Sequence, residues 1–381
     1  VSVDRRPARG AEGRAAPLLA VRDLVVRFRT QRGVADAVRG VSLDLAPGEA
    51  LALVGESGSG KSTLLRAMAG LLAGNAEVAG SVKVWGQELL GAPESVLRPL
   101  RGSVLGMIFQ DPVNCLNPSM TIGSQLRRVF RLHRPEVSTK AVDDEIVSVL
   151  ERVGIDVRAK LDRYPFEFSQ GQLQRVMIAA ACLIGRPEVL FADEPTTSLD
   201  VTTEAQVLEL LRELRAELGM ALVLVTHNLA VAAQVCDRSV VLYGGRVMEE
   251  AAIDDLFERP AHPYTRQLLR SMPRFPHEGG RIYSMPGDAI TAAGVGAGCE
   301  FRPRCEEVLG AVCAERASVL LETGRRNQRA ACHRWTTPGT ASEAGALETA
   351  GEVGEARVSR ADRLPEEAGS PAARAHEPGV R

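Results

Sequence analysis

Eight residues, Gly55-Glu56-Ser57-Gly58-Ser59-Gly60-Lys61-Ser62, stand between the apolar run ALALV and a helical pattern over 63–72. Strand, glycine loop and helix in that order make a cradle for a polyphosphate. The glycines let backbone N–H groups approach the phosphates, and the start of the helix adds a favourable dipole. Lys61 reaches the outer phosphates and Ser62 ligates magnesium, with Thr63 following in the first turn. A loop of this kind commits the chain to an α/β architecture in which a strand delivers the loop and a helix receives it.

The rest of the sequence agrees. Residues 50–54, 189–192 (VLFA), 221–226 (ALVLVT) and 239–243 (SVVLY) are continuous apolar runs, the pattern of strands covered on both faces, and helical patterns separate them. A mainly parallel sheet follows. Between about 98 and 184 the spacing turns helical, notably over 142–153 and 172–184, with turn signals at Asn117-Pro118 and Tyr164-Pro165, which predicts a helical subdomain. Residues 1–17 read as a flexible arm without the apolar core of a secretory signal. Residues 336–381, rich in Ala, Gly, Glu, Pro and Arg, cannot offset their ordering entropy and read as disordered.

A second chemical string closes the 189–192 run: Asp193 and Glu194. Carboxylates at the C-terminal end of such a strand face the crevice where open α/β sheets bind ligands. Asp193 can hold magnesium through water, and Glu194 can polarise an attacking water.

The residues that follow narrow the class. Glu194-Pro195-Thr196-Thr197-Ser198-Leu199-Asp200 resembles the D-loop region of ABC ATPases, and Phe168-Ser169-Gln170-Gly171-Gln172 resembles their signature. Gln110 in MIFQDP is similar to the Q-loop glutamine, His227 in LVTHNL to the switch histidine, and Phe28 stands where an aromatic stacks on adenine. The resemblance implies a P-loop NTPase core over 18–258 that works as a head-to-tail pair. In that pair Ser169, Gln170, Gly171 and Gln172 of one unit cover the ATP held by the other. It further implies that Gln110 senses the γ-phosphate and joins the magnesium site, that His227 holds the γ-phosphate and water, and that Asp200 couples the two sites. The family's usual glycine is replaced by Gln170. If Ser169 caps the helix, position 170 is its first residue with negative φ, and glycine is not sterically required.

Longer strings are similar to the oligopeptide/dipeptide/nickel importer branch: CLNPSMTIG, RVMIA, and the stretch around His262-Pro263-Tyr264-Thr265 in a C-terminal region over 259–335. That branch implies ATP and magnesium as cofactors and a second, non-identical ATPase subunit as partner. It also implies two membrane permease subunits, an extracytoplasmic solute-binding protein, and a peripheral place on the cytoplasmic face of the membrane. The net charge of −2 supplies no general field for nucleic acid. No apolar stretch approaches the ~20 residues of a membrane-spanning helix. Soluble ABC ATPases of translation or repair fuse two units or insert long arms, whereas one copy of each motif stands here, and a scaffold with a decayed site would not keep Lys61, Ser62, Asp193, Glu194 and His227.

In a reducing compartment the seven cysteines are not a disulfide framework. Cys115, Cys182 and Cys236 lie among apolar neighbours and read as buried thiols. Cys299, Cys305, Cys313 and Cys332 form a possible ligand set without the C-x-x-C pairs of ordinary zinc modules. GCEFRPRC resembles the branch's C-terminal region, in which some members carry a 4Fe-4S cluster; zinc or free thiols are the alternatives.

Overall fold

The computed structural model describes residues 16–31, 33–156, 161–272, 283–288 and 297–335. The disordered tail and most of the arm expected from sequence lie outside them.

Strands β1 (Leu19–Thr30) and β2 (Gly33–Leu45) pair antiparallel. The chain then lays down β3 (Ala50–Val54) and α1 (Lys61–Met68) before returning through β4 (Ala76–Val84) and β5 (Gln87–Glu88). Together β2-β1-β4-β5 form a small antiparallel sheet. Its strands alternate buried apolar residues such as Val21, Leu24 and Val26 with exposed ones such as Arg22 and Arg27, which is the pattern of a sheet wet on one face.

A short α2 (Glu94–Leu100) leads into β6 (Leu105–Ile108). The helical part follows: α3 (Pro112–Cys115), α4 (Ile122–His133), α5 (Thr139–Arg152) and α6 (Gln170–Ile178), the last continuing as a π-helical segment over Ala179–Ile184. The stretch 98–184 read as helical therefore contains one core strand, since β6 pairs with the strand at 189–193. The four residues LGMI are too few for periodicity to separate from helix.

Then come β7 (Val189–Asp193), α7 (Val201–Leu218), β8 (Ala221–Thr226), α8 (Leu229–Val235), β9 (Arg238–Tyr243) and β10 (Arg246–Ala252). The C-terminal region adds α9 (Ile253–Glu258), α10 (Pro263–Arg270), α11 (Ala311–Glu315), β11 (Leu321–Glu322) and β12 (Arg329–Ala330). The large sheet runs β11-β12-β10-β9-β3-β8-β7-β6. It is parallel from β9 through β6 and antiparallel where β10 and β12 extend it.

Strand alternation sorts the core. Ala50, Ala52 and Val54 face the helical part, while Leu51 and Leu53 face α1 and the small sheet, so β3 is buried on both sides. β3 and β7 flank β8 in parallel, so the loops that follow them leave the same C-terminal edge of one sheet, and the site is built there. The C-terminal region is continuous with this core: β12 pairs with β10, and Phe301 is fully buried with its ring 5.3 Å from Tyr243 and 5.2 Å from Tyr264. Among the described residues no helix is long and apolar enough to cross a membrane.

Cysteine placement corrects one expectation. Cys182 and Cys236 are buried, but Cys115 is exposed, because it ends a single helical turn that Asp111 caps at the surface.

Candidate functional site

The loop after β3 is shaped by close backbone approach. A Cβ at Gly55 would lie 2.2 Å from the Leu242 carbonyl, and one at Gly60 would lie 2.3 Å from that of Ala37; both residues have positive φ, so glycine is required twice over. Lys61 opens α1 and is buried, its Nζ donating to the carbonyls of Gly55 and Glu56 at 2.8 Å each. Burial lowers the Lys61 pKa, opposed by the nearby carboxylates of Glu194, Asp193 and Glu56.

Ser62 Oγ donates to Asp193 Oδ1 at 2.6 Å, and Arg66 pairs with the other oxygen of that fully buried carboxylate at 3.2 Å. The hydroxyl and carboxylate give the all-oxygen donor chemistry that magnesium takes from a protein, so these two residues fit the ion the sequence implies. Gln110 reaches the residue next to Asp193: its amide donates to Glu194 Oε2 at 3.4 Å.

Glu194 has φ +45, uncommon for a side-chain-bearing residue, and its N–H is held by the Val225 carbonyl. Three groups converge on its Oε2: Thr197 Oγ1 at 2.8 Å, Gln110 Nε2 at 3.4 Å and His227 Nδ1 at 3.4 Å. Glu194, Gln110 and His227, which stand 33 or more positions apart in the chain, therefore share one point. Thr197 completes this set and was not singled out by sequence reasoning, although it lies in the same string. Phe28 is half-buried on β1, its main chain paired with Ala35 and Ala76. Ser57, Gly58, Ser59 and Thr63 lie in or directly after the loop, Ser59 being buried.

Ser169 is the N-cap of α6, with its side chain accepting from the Gln172 N–H while the Gln172 side chain accepts from the Ser169 N–H. Gln170 is the first helical residue and needs no glycine φ, as the capping geometry predicts. Gly171 is constrained by packing: a Cβ there would lie 2.6 Å from Thr203 Cγ2 on α7. Asp200 caps α7, accepting from Thr203 N at 3.0 Å and Thr203 Oγ1 at 2.7 Å, bonds that depress its pKa.

The C-terminal region reaches the phosphate loop directly. Arg304 grips the Glu56 carboxylate with both terminal nitrogens, at 2.6 and 3.0 Å, and Tyr264 OH accepts from the Glu56 N–H at 2.9 Å. No local sequence signal announces these contacts. The four-cysteine expectation fares less well. Cys299 N donates to the Cys313 carbonyl, and burial raises the thiol pKa of Cys299, Cys305 and Cys332, the last to about 11. Among the described residues, however, no group of three or more His, Cys, Asp or Glu side chains is arranged to hold a metal ion.

Comparison with known proteins places these features. Residues 38–197 match the model of the ABC transporter family, and residues 248–313 match that of the oligopeptide/dipeptide transporter C-terminal region. The oligopeptide transport ATP-binding protein OppD of Escherichia coli K12 is 44% identical over 300 residues, covering 78% of this chain and 88% of the relative. OppD of Mycobacterium tuberculosis H37Rv is 43% identical over 321 residues, 84% of this chain, but the chain spans only 52% of that longer relative. Among solved structures, a dimeric ATP-binding cassette in a post-hydrolysis state with ADP and Pi matches at TM-score 0.56 and 27% identity, covering 62% of this chain and 98% of that one.

Proposed function

The chain belongs to the ATP-binding proteins of ABC transporters, in the branch of the oligopeptide transport ATP-binding proteins, and from that premise we propose that it binds and hydrolyses ATP to power an importer of peptides or a related small solute such as nickel. The observation that carries this reading is the convergence of Thr197, Gln110 and His227 on Glu194, one residue beyond the buried Asp193 that Ser62 contacts.

The loop 55–62 binds the phosphates of ATP through its amides, Lys61 pairs with their charge, and Ser62 with Asp193 holds magnesium. Magnesium, when bound, offsets phosphate charge and orients the leaving group. Glu194 orients and polarises water as general base, with Thr197, Gln110 and His227 fixing its carboxylate. Ser169 and Gly171 present the start of α6 to the ATP of a partner subunit, and Asp200 ties that helix's neighbour into the pair. The partners are a second, non-identical ATPase subunit, two permease subunits and an extracytoplasmic solute-binding protein, with the chain peripheral on the cytoplasmic face. Support comes from the two matched family models.

ATP turnover and uptake of labelled peptide or nickel by the reconstituted complex test this reading. Turnover unchanged by Lys61→Ala would refute it, and the substrate that alone drives turnover would choose between solutes. A 4Fe-4S centre on Cys299, Cys305, Cys313 and Cys332 is a further part of the proposal. It rests on the four thiols falling in one C-terminal stretch, where the Cys299 N–H donates to the Cys313 carbonyl, and it requires their side chains to rearrange, since none of the described groups is arranged to hold a metal ion. About four iron per chain in an anaerobic preparation supports it; stoichiometric zinc or no metal removes it.

A further inference from the structure

Glu56 is the second residue of the phosphate loop, and its side chain and main chain are both held from outside the loop. The Arg304 guanidinium is buried and three of its nitrogens are assigned: Nε donates to the Pro286 carbonyl at 2.8 Å, while Nη1 and Nη2 take the two oxygens of Glu56. Tyr243 OH lies 3.4 Å from Nη1, and the Gln267 amide donates to the Arg304 carbonyl at 3.2 Å. Such a fork is fixed in direction as well as in distance, which a lysine could not reproduce. Tyr264, fully buried with its ring 4.7 Å from Tyr243, accepts from the Glu56 N–H. The Glu56 carbonyl in turn accepts from Lys61 Nζ. One residue therefore connects the C-terminal region to the ammonium that meets the phosphates.

We propose that Arg304 is a positioning residue for the nucleotide site, acting through Glu56 on the phosphate loop and Lys61, with Tyr264 as its second anchor. The C-terminal region, whose Cys305 directly follows Arg304, thereby sets nucleotide affinity in addition to completing the fold. This rests on the ATP-binding reading above.

The experiment measures ATP affinity of the complete chain by displacement of a fluorescent ATP analogue, for the wild type, Arg304→Met, Glu56→Gln and the double variant, with thermal melts alongside. Each single change weakens ATP binding by roughly 5- to 150-fold, the usual range for coupled sites. The double variant binds no more weakly than the poorer single, because both remove one interaction. Arg304→Lys restores only part of the loss, since charge returns without the fork. Additive losses, or wild-type affinity in a folded Arg304→Met, overturn the proposal. Should Arg304→Met fail to fold, Glu56→Gln and Tyr264→Phe decide, because each deletes one contact to the loop and keeps side-chain shape; wild-type affinity in both overturns it. A wild type that binds no ATP refutes instead the nucleotide reading on which the proposal stands.

Discussion

Gly171→Ala is a one-atom test of why the signature helix carries glycine at its second position. The added Cβ would sit 2.6 Å from Thr203 Cγ2, closer than real Cβ atoms approach and about 0.8 Å inside ordinary contact, while Thr203 Cβ and Oγ1 stay at 3.8 and 3.9 Å, which is ordinary contact. Only one methyl is in the way. Overpacking of this kind costs about 1–3 kcal/mol. Rotating Thr203 to relieve it would break the Oγ1 bond to Asp200, while the main-chain N–H bond of the cap would remain. Gly171→Ala is therefore expected to destabilise the chain by about 1–3 kcal/mol in urea denaturation and to reduce ATP turnover by disturbing α6 and Asp200 together. Thr203→Ser removes the offending methyl and keeps the hydroxyl, so the double variant Gly171→Ala/Thr203→Ser should recover most of both losses. A double variant no better than Gly171→Ala alone, or a single variant costing under ~0.5 kcal/mol, would refute the packing explanation.

Glu194→Gln keeps an oxygen for Thr197 but loses the base, so ATP should still bind while turnover in the assembled complex falls ~10²- to 10⁴-fold; near-normal turnover would remove Glu194 from its role. Gln170→Gly should alter turnover only a few-fold, since Gln170 already has ordinary helical geometry, whereas Ser169→Arg should abolish it; a large gain from Gln170→Gly in a steady-state assay would show that the native signature is weakened. His262 is buried, its Nδ1 accepts from the Tyr264 N–H, and burial holds its pKa down to about 3. Because the unfolded histidine takes up a proton that the folded one refuses, stability is fully present above about pH 6.5 and declines by up to about 1.4 kcal/mol per pH unit as pH falls towards 3. Melting curves between pH 7.5 and 5 should show this slope, and His262→Asn should flatten it.

The parts of this molecule that were legible from sequence are those whose cause is local. β3, β7, β8 and β9 are buried on both faces and so read as unbroken apolar runs, and the phosphate loop is specified by its own glycines. Ser169 could be placed as an N-cap because capping depends on three neighbouring residues. The small antiparallel sheet was not read from sequence, because irregularities between Val21 and Leu24 and between Val26 and Arg27 break the alternation that would mark β1 as a half-exposed strand. Cys115 misleads for a related reason: Val113 and Leu116 beside it are apolar, yet the single turn they form lies at the surface. Neither Gly171 against Thr203 nor Arg304 against Glu56 leaves any trace in its own stretch of chain. The latter contact ties the stretch that carries Cys305 directly to the phosphate loop.

Glu56 and Arg304 are 248 residues apart in the chain. At roughly 5–20 residues per second of synthesis, the phosphate loop waits on the order of 10–50 s for its clamp. Over the same interval β10 lacks β12 along its outer edge, and the pocket that Phe301 fills between Tyr243 and Tyr264 is open. A nascent chain can thus complete β3, α1 and β7, the elements that define the nucleotide site, well before the loop between the first two is fastened. A ribosome that stops between Ala252 and Arg304 releases a product with every ATP-site motif in place and the loop unfastened, open along the β10 edge, which invites aggregation.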